Sequence, residues 1–527
     1  MKLPTTTRRS FLKITSSTLA GLAITLSTTF AHSKPEAPTM TLDTVIQDVR
    51  KFIPTREASW KEQYFSLLRI PTISGEGENS QEKQKAATLL EHLLQEQGLN
   101  TKQFTIEYQE GDQFNSYPII YAEKIIDSSL PTILIGTHYD VRPKNESDDD
   151  KWKQVNIFEP HEVVVEEDFG GKKIKDTRVY ARGADDSKGH IMAILGALEF
   201  YQSYQKMLVN IKILFEGREE KSSAGMRKFI EAHQDLLKAD AVIIADAPTL
   251  RAGIPSIYYG LRGYLGGEIE IVTSVEKKSH SGSRSFVPNS LGIASVLMHK
   301  LQDPLTGKVL FPEFYEGIIP PTAQLLKEID EQYQDTSLAT EEKAKKELGL
   351  IATVGDKTYS PAQRTTLFPS FDYQLVTGGG EGVLPNATSI KYAARLVRGQ
   401  DSKRINDGLQ RVIHQSGLEK IAKITLKAGE GDVAFYTDPT TIYQQVAGEA
   451  LKKVWGTKEL DRFIDGAGEP IASMYQEYIT PNIIFVAYGH PNDNCHGTNE
   501  SMLWKNGVLL GVESTVALLY EFGRVKK

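Results

Sequence analysis

Four short apolar runs, far apart in the chain, each end in residues able to do chemistry. Pro131-Thr-Ile-Leu-Ile-Gly136 leads into Thr137-His138-Tyr139-Asp140, and Val209-Asn-Ile-Lys-Ile-Leu-Phe215 into Glu216-Gly217-Arg218-Glu219-Glu220. Ala241-Val-Ile-Ile-Ala245 leads into Asp246, and Asn482-Ile-Ile-Phe-Val-Ala487 into a loop carrying Cys495-His496. Runs this short and this apolar read as strands buried on both faces. Helical spacing lies between them, as in Gly189–Tyr201 after the Asp186 loop. The alternation predicts an α/β fold, a mostly parallel mixed sheet between helices. In such sheets ligands gather at the C-terminal ends of the strands. Here those ends carry His, Asp and Glu.

The flanking regions read differently. Thr41–Leu68 and Ser80–Gly98 have the spacing of helices, the second with Gly98 as its stop. Gly263–Val272 and Ser389–Val397 alternate as half-buried strands do, and the polar, Lys/Glu-rich stretch Thr322–Leu348 between them is partly helical. Residues 262–399 are therefore read as an inserted α+β domain, with 34–261 and 400–527 forming the α/β domain. Ahead of both, Thr7-Arg8-Arg9-Ser10-Phe11-Leu12-Lys13 precedes a modestly apolar stretch and a small-residue cleavage site at Ala31 or Ser33. This resembles a twin-arginine export signal over residues 1–33, and it places the mature chain in the periplasm of a Gram-negative bacterium or outside the cell. Lys34–Pro38 reads as a linker, and Ser147–Lys151 as a solvated charged loop.

The 527 residues are ample for a sizeable core, and 40% of them are hydrophobic. The formal charge of −7, with no basic patch, argues against a nucleic-acid partner. With Cys495 as the one cysteine, neither an intrachain disulfide nor a thiolate metal cluster can form. No Gly-x-Ser-x-Gly, His-Glu-x-x-His, P-loop or dinucleotide glycine pattern occurs.

His138, Asp140, Asp186, Glu219, Glu220, Asp246 and His496 converge on one predicted sheet edge. Two histidines and several carboxylates there suit a pair of divalent ions. A carboxylate shared by two such ions holds them about 3.5–4 Å apart. Taken one at a time, these residues have plainer readings. His138 could be a core histidine, Asp186 a helix cap, Asp246 a cap before Pro248, Glu219-Glu220 a solvated pair and His496 a loop residue. His190 and His490 read as structural, and Cys495 as a small buried neighbour of His496.

In order, the motifs are Gly136-Thr-His138-Tyr-Asp140-Val141, Arg182-Gly183-Ala-Asp-Asp186-Ser-Lys188-Gly189, Phe215-Glu-Gly-Arg-Glu219-Glu220, Asp246, and Cys495-His496-Gly-Thr-Asn-Glu500. Together they resemble metallopeptidase family twenty. The long insert looks closest to its carnosinase-like dipeptidases, beside the glutamate carboxypeptidases, aminoacylases and desuccinylases. Tyr259–Gly263, Lys278–Gly282 and Ala394–Val397 extend the likeness.

The resemblance implies a phosphorylase/hydrolase-like catalytic domain and a lid domain that pairs two subunits in a homodimer. It implies two divalent ions, zinc first, with manganese or cobalt able to replace it. His138 and Asp246 would hold one ion, Glu220 and His496 the other, and Asp186 would bridge. Asp140 would orient His138, and Glu219 would activate a metal-bridging water. That water would attack a peptide or N-acyl amide near a free carboxylate. His280, from the partner's lid, would polarise the carbonyl. Arg395 would grip the substrate carboxylate, and Asn386 is a further substrate contact. Against these stand a surface His280 in a Ser/Gly turn and an Arg395 paired within its strand. The implied substrate is a small peptide or an N-acyl amino acid, so a dipeptidase or carboxypeptidase is expected, with a deacylase or desuccinylase as alternative. A non-catalytic binding protein is disfavoured because it needs no Glu219.

The chain departs from that pattern in two places. Asp465-Gly-Ala-Gly-Glu469-Pro-Ile471 stands where a Gly-Gly-Ser-Ile-Pro stretch that cradles the substrate carboxylate is expected, and a carboxylate there would repel an anionic substrate end. Tyr436-Thr-Asp-Pro439 replaces a histidine-rich stretch.

Overall fold

The runs that end in chemistry are adjacent strands in the computed structural model. A nine-stranded mixed sheet has Thr132–His138 at its centre, paired in parallel with Asn210–Glu216 on one side and Ala241–Ala245 on the other. Ile483–Ala487 continues the parallel set beside Ala241–Ala245. Asn210–Glu216, Ala241–Ala245 and Ile483–Ala487 are buried along their whole length, which is why they read as unbroken apolar runs. The margins are antiparallel. The hairpin Asn100–Glu110/Gln113–Lys124 joins one side, and Ser256–Leu261 with Phe435–Tyr436 the other. Asp461–Asp465 lies parallel to Ser256–Leu261.

The structure describes residues 40–75, 80–110, 113–144, 151–203, 207–275, 279–280, 286–379, 383–429 and 431–526. The twin-arginine stretch, the Lys34–Pro38 linker, Ser147–Asp150, and Lys278 with Ser281 and Gly282 lie outside these residues. The chain divides into Met1–Thr41 and Leu42–Lys527, and the elements of the fold belong to the second unit.

The expected helices form close to their expected ends. Leu42–Leu68 is continuous, and Gln81–Glu96 begins where the Ser80 side chain accepts from Lys83 N. His190–Ser203 is buried on nearly every side, wedged among Leu42–Leu68, Leu510–Phe522 and the Thr132–His138 strand. Leu134, Leu214, Val242, Ile244 and Phe485 form one core with helices Met226–Ala232 and Pro470–Tyr478.

A second core lies under a four-stranded antiparallel sheet ordered Ser370–Gly378, Ala387–Leu396, Gly263–Val272, Lys423–Ala428. Helices Ser290–Leu301 and Ser402–Gln415 cover it. Its strands alternate buried and half-exposed positions, the signature that Gly263–Val272 and Ser389–Val397 carry in sequence. This layer draws one helix and one strand from beyond residue 399. Conversely, helices Ala323–Tyr333 and Pro361–Leu367, inside 262–399, place Ile329, Tyr333, Ala362 and Leu367 in the core of the large sheet. A third, three-stranded sheet of Ser501–Leu503, Lys172–Tyr180 and His161–Phe169 borders the His496 loop.

Candidate metal centre

Register brings the first residues together. His138 is paired with Glu216 across the sheet, and Asp246 follows Ala245 on the next strand, its N–H donating to Val486 O at 3.2 Å. The parallel strands end level, so the side chains that leave their C-terminal ends share one space.

Asp140 organises that space and is fully buried. Its carboxylate accepts from Glu219 N at 3.1 Å, from Glu220 N at 3.2 Å and from Ser74 Oγ. His138 Nδ1 lies 3.0 Å from Asp140 O and 3.3 Å from Oδ1. With Nδ1 as the donor, Nε2 is the free lone pair, and it points at Asp186 Oδ1 (3.0 Å) and Asp246 Oδ2 (3.5 Å). Burial would raise the pKa of Asp140, but His138, Lys83 and Ser74 hold it below the usual carboxylate range.

Asp186 sits in the Gly183–Gly189 turn, where Gly183 has φ +81° and a Cβ would strike Val141. Glu500 shapes this turn. It accepts the N–H groups of Gly183, Asp185 and Asp186 at 3.0, 3.2 and 3.2 Å, and pairs with Arg182 at 2.7 Å. Lys188 anchors the far side on the carbonyls of Leu67 and Ile70. His496 adopts φ +63°, between Asn494 and Asn499, both also left-handed. The Asn499 side chain ties this loop to the backbone of Lys151 and Lys153, and Asp493 ties it to His490 N and Arg178. His496 Nε2 then lies 2.8 Å from Asp186 Oδ2 and 3.1 Å from Glu220 Oε2.

Two groups of side chains thus offer ligand atoms within 4.8 Å of one another: His138, Asp186 and Asp246, and Asp186, Glu220 and His496. Asp186 belongs to both. Glu219 belongs to neither, and its Oε2 stands 3.9 Å from His138 Nε2. The donor set fits a pair of divalent ions on three observations. His138 Nε2 is buried without a hydrogen bond, the donors are imidazole nitrogen and carboxylate oxygen, and the space is short of positive charge. Burial opposes charge on His138 and His496, yet the surrounding carboxylates push His138 well above the imidazole range and His496 up to about 10. Burial and Asp186 push Glu220 up to about 7. Burial, then Glu469, drives Glu219 well above its usual value.

The other expected residues are less uniform. Arg395 borders the same cleft, its guanidinium over the Tyr264 ring, with no ion-pair partner among the described residues. Asn386 is turned to backbone duty, Nδ2 donating to Ser274 O at 3.1 Å. His280 lies on a short strand, paired with Val383. His190 is structural, held by Asp185 O and Tyr488 N. Cys495 donates to Asp185 Oδ2 at 3.0 Å.

Several site residues carry no local motif. Arg142 reaches His496 Nδ1 at 3.2 Å and Glu220 Oε2 at 3.8 Å; its place two residues after Asp140 is the only signal for it. Glu469 also enters the site. The cleft outside the cluster holds about 650 Å³ and is bordered by Arg142, Lys221, Arg262, Arg395 and Glu469.

Residues 134–521 match the family described as peptidase family M20/M25/M40. A Beta-Ala-His dipeptidase of Homo sapiens is 25% identical over 406 residues, covering 75% of each chain. A Cys-Gly metallodipeptidase of Saccharomyces cerevisiae is 26% identical over 467 residues, covering 84% of this chain and 92% of the relative. Among solved structures, human carnosine dipeptidase 1 superposes with a TM-score of 0.73 at 21% identity, over 91% of this chain and all of that one. A metallo-carboxypeptidase of Sulfolobus solfataricus gives 0.74 at 24% identity, over 88% of this chain and 99% of that one.

Proposed function

The chain belongs to peptidase family M20/M25/M40, and on that premise we propose that it is a metallodipeptidase with a co-catalytic pair of divalent ions. The observation that carries this reading is the sharing of Asp186 between two ligand groups, with Glu219 beside them and in neither. The relatives named for Beta-Ala-His and Cys-Gly dipeptide cleavage support a dipeptide substrate. Zinc is the first choice for these ligands, and manganese or cobalt would fit the same donors.

Ions bound here supply Lewis acidity and lower the proton affinity of a nucleophilic water. The rest falls to the chain. His138 is held by Asp140 with Nε2 aimed inward, so its orientation is set before any ion binds. Glu219 and Glu220 are fixed through their own N–H groups by that same Asp140, one beside the ligands and one among them. Glu219 takes the proton of the attacking water and returns it to the leaving amine. Arg395 reaches into the cleft from the second sheet and binds the substrate carboxylate, which sets the distance from the free end to the cleaved bond.

The experiment is a joint measurement of metal content and hydrolysis on the purified protein, with a panel of dipeptides and N-acyl amino acids. Two ions per chain and dipeptide cleavage lost on chelation and restored by zinc or manganese are expected. A protein that binds no divalent ion under any condition would sink the reading.

A further inference from the structure

Glu469 lies in one of the two stretches that depart from the expected pattern, and the fold gives it an unusual place. It caps the N-terminus of helix Pro470–Tyr478 without a side-chain cap bond, so its carboxyl is free to turn inward. It is 9% exposed and borders two spaces at once. One is the cleft, with Glu219, Arg395 and His496. The other is a cavity of about 10 Å³ behind the cluster, shared with Glu216, Glu219 and Asp246. It lines that cavity beside Glu219 and feels Asp246 and Glu216 as neighbours. Glu216, at 1% exposure, has neither carboxyl oxygen in a hydrogen bond among the described residues.

The charges set the question. Two divalent ions would offset four of these carboxylates, Asp186, Glu220, Asp246 and Glu219, and leave Glu216 and Glu469, of which only Glu469 borders the cleft. A carboxyl in such a place calls for a cationic partner. Substrate geometry says which part of the substrate can supply it. The carbonyl to be attacked must lie against Glu219. In an α-dipeptide the free amino nitrogen is separated from that carbonyl carbon by one Cα, about 2.5 Å away by standard bond lengths. A free amino terminus therefore cannot avoid the neighbourhood of Glu219, and Glu469 lines the same cleft and the same small cavity as Glu219. An N-acyl amino acid brings only carbon to the same spot.

We propose that Glu469 is a specificity-determining residue that receives the free ammonium of the substrate's N-terminal residue, so that the enzyme selects unblocked dipeptides over N-acyl amino acids. The inference rests on the dipeptidase reading above and narrows its substrate class.

The test uses alanyl-alanine and propionyl-alanine, which differ only in that amino group. On the zinc-loaded protein, alanyl-alanine is expected to be the better substrate by at least tenfold in kcat/KM. Glu469→Gln, an isosteric change, should lower kcat/KM for alanyl-alanine about 10- to 100-fold more than for propionyl-alanine, the size of one lost charge-assisted hydrogen bond. The loss should fall mainly on KM. Binding gives an independent readout. In a Glu219→Gln host, calorimetry should show alanyl-alanine affinity falling when Glu469→Gln is added, and propionyl-alanine affinity holding. Glu469→Asp should keep part of the preference, and it carries the comparison if Glu469→Gln loses metal. Equal losses on both compounds would overturn the proposal and leave Glu469 as a support for Glu219. No loss on either compound would overturn it as well, with the dipeptidase reading intact. Failure of the wild-type protein to cleave either compound or any dipeptide, with or without metal, would overturn both.

Discussion

The N–H groups of Glu219 and Glu220 donate to the two oxygens of one carboxylate, Asp140. Adjacent residues are thereby held with one side chain beside the candidate metal ligands and the other among them. Glu219→Gln removes the proposed proton acceptor and leaves those backbone bonds in place. We expect it to keep two ions per chain and to lose about 10²- to 10⁴-fold in kcat, measured by metal analysis and steady-state kinetics. Asp140→Asn acts one step back. It trades a charged acceptor for an amide whose NH2 must face a backbone N–H or the His138 ring. A fall of about 10- to 100-fold in metal affinity is expected, read by competition with a chelating dye. At this scale the ordered motifs and the strand ends were informative about proximity: His138, Asp186, Glu220, Asp246 and His496 all meet. It was uninformative where the role depends on what lies across space. Asn386 has the right chemistry for a substrate contact, but its amide closes a turn on Ser274. Arg142 has no motif, yet it touches His496 and Glu220.

The elements divide along the same line. Strands buried on both faces announce themselves, because burial demands continuous apolar residues, and their polar ends then mark the site. The hairpin His161–Phe169/Lys172–Tyr180 gives no such signal, since its first strand alternates exposed and half-buried positions and is rich in acids. The insert's limits were legible only in part. Helices Ala323–Tyr333 and Pro361–Leu367 pack into the large sheet's core through a few apolar residues in polar surroundings, a pattern that local periodicity cannot assign to one core or another. Between elements, the turn that carries Asp186 depends on a residue over three hundred positions away. Glu500 is the acceptor for three of its N–H groups. Glu500→Ala would leave these donors buried and unpaired, along with Arg182, at about 1–3 kcal/mol per group before any rearrangement. We expect a lower melting temperature and loss of metal at both positions, because Asp186 serves both. Glu500→Gln, which keeps an acceptor oxygen, should recover part of each. Full metal content in Glu500→Ala would show that the turn holds its shape without it.

At the scale of the molecule, the cluster binds the two halves of the chain to each other through charge. Residues from 138 to 246 meet His496 and Glu469 from the C-terminal part, and the carboxylates among them repel unless cations are present. Metal should therefore act as a folding ligand as well as a cofactor. An ion held at one hundred times its dissociation constant stabilises the native state by about 2.7 kcal/mol per site. Chelation is accordingly expected to lower the melting temperature by several degrees, and zinc to restore it. The sharing of Asp186 makes a sharper demand on the variants. Asp246→Asn removes a ligand from one group only, so about half of the metal-dependent shift should survive. Asp186→Asn removes a ligand from both, so nearly all of it should vanish, although each variant changes one carboxylate to one amide. Differential scanning fluorimetry with and without chelator on the three proteins measures this. Equal residual shifts in the two variants would mean that the ions do not share Asp186, and that the two groups bind independently.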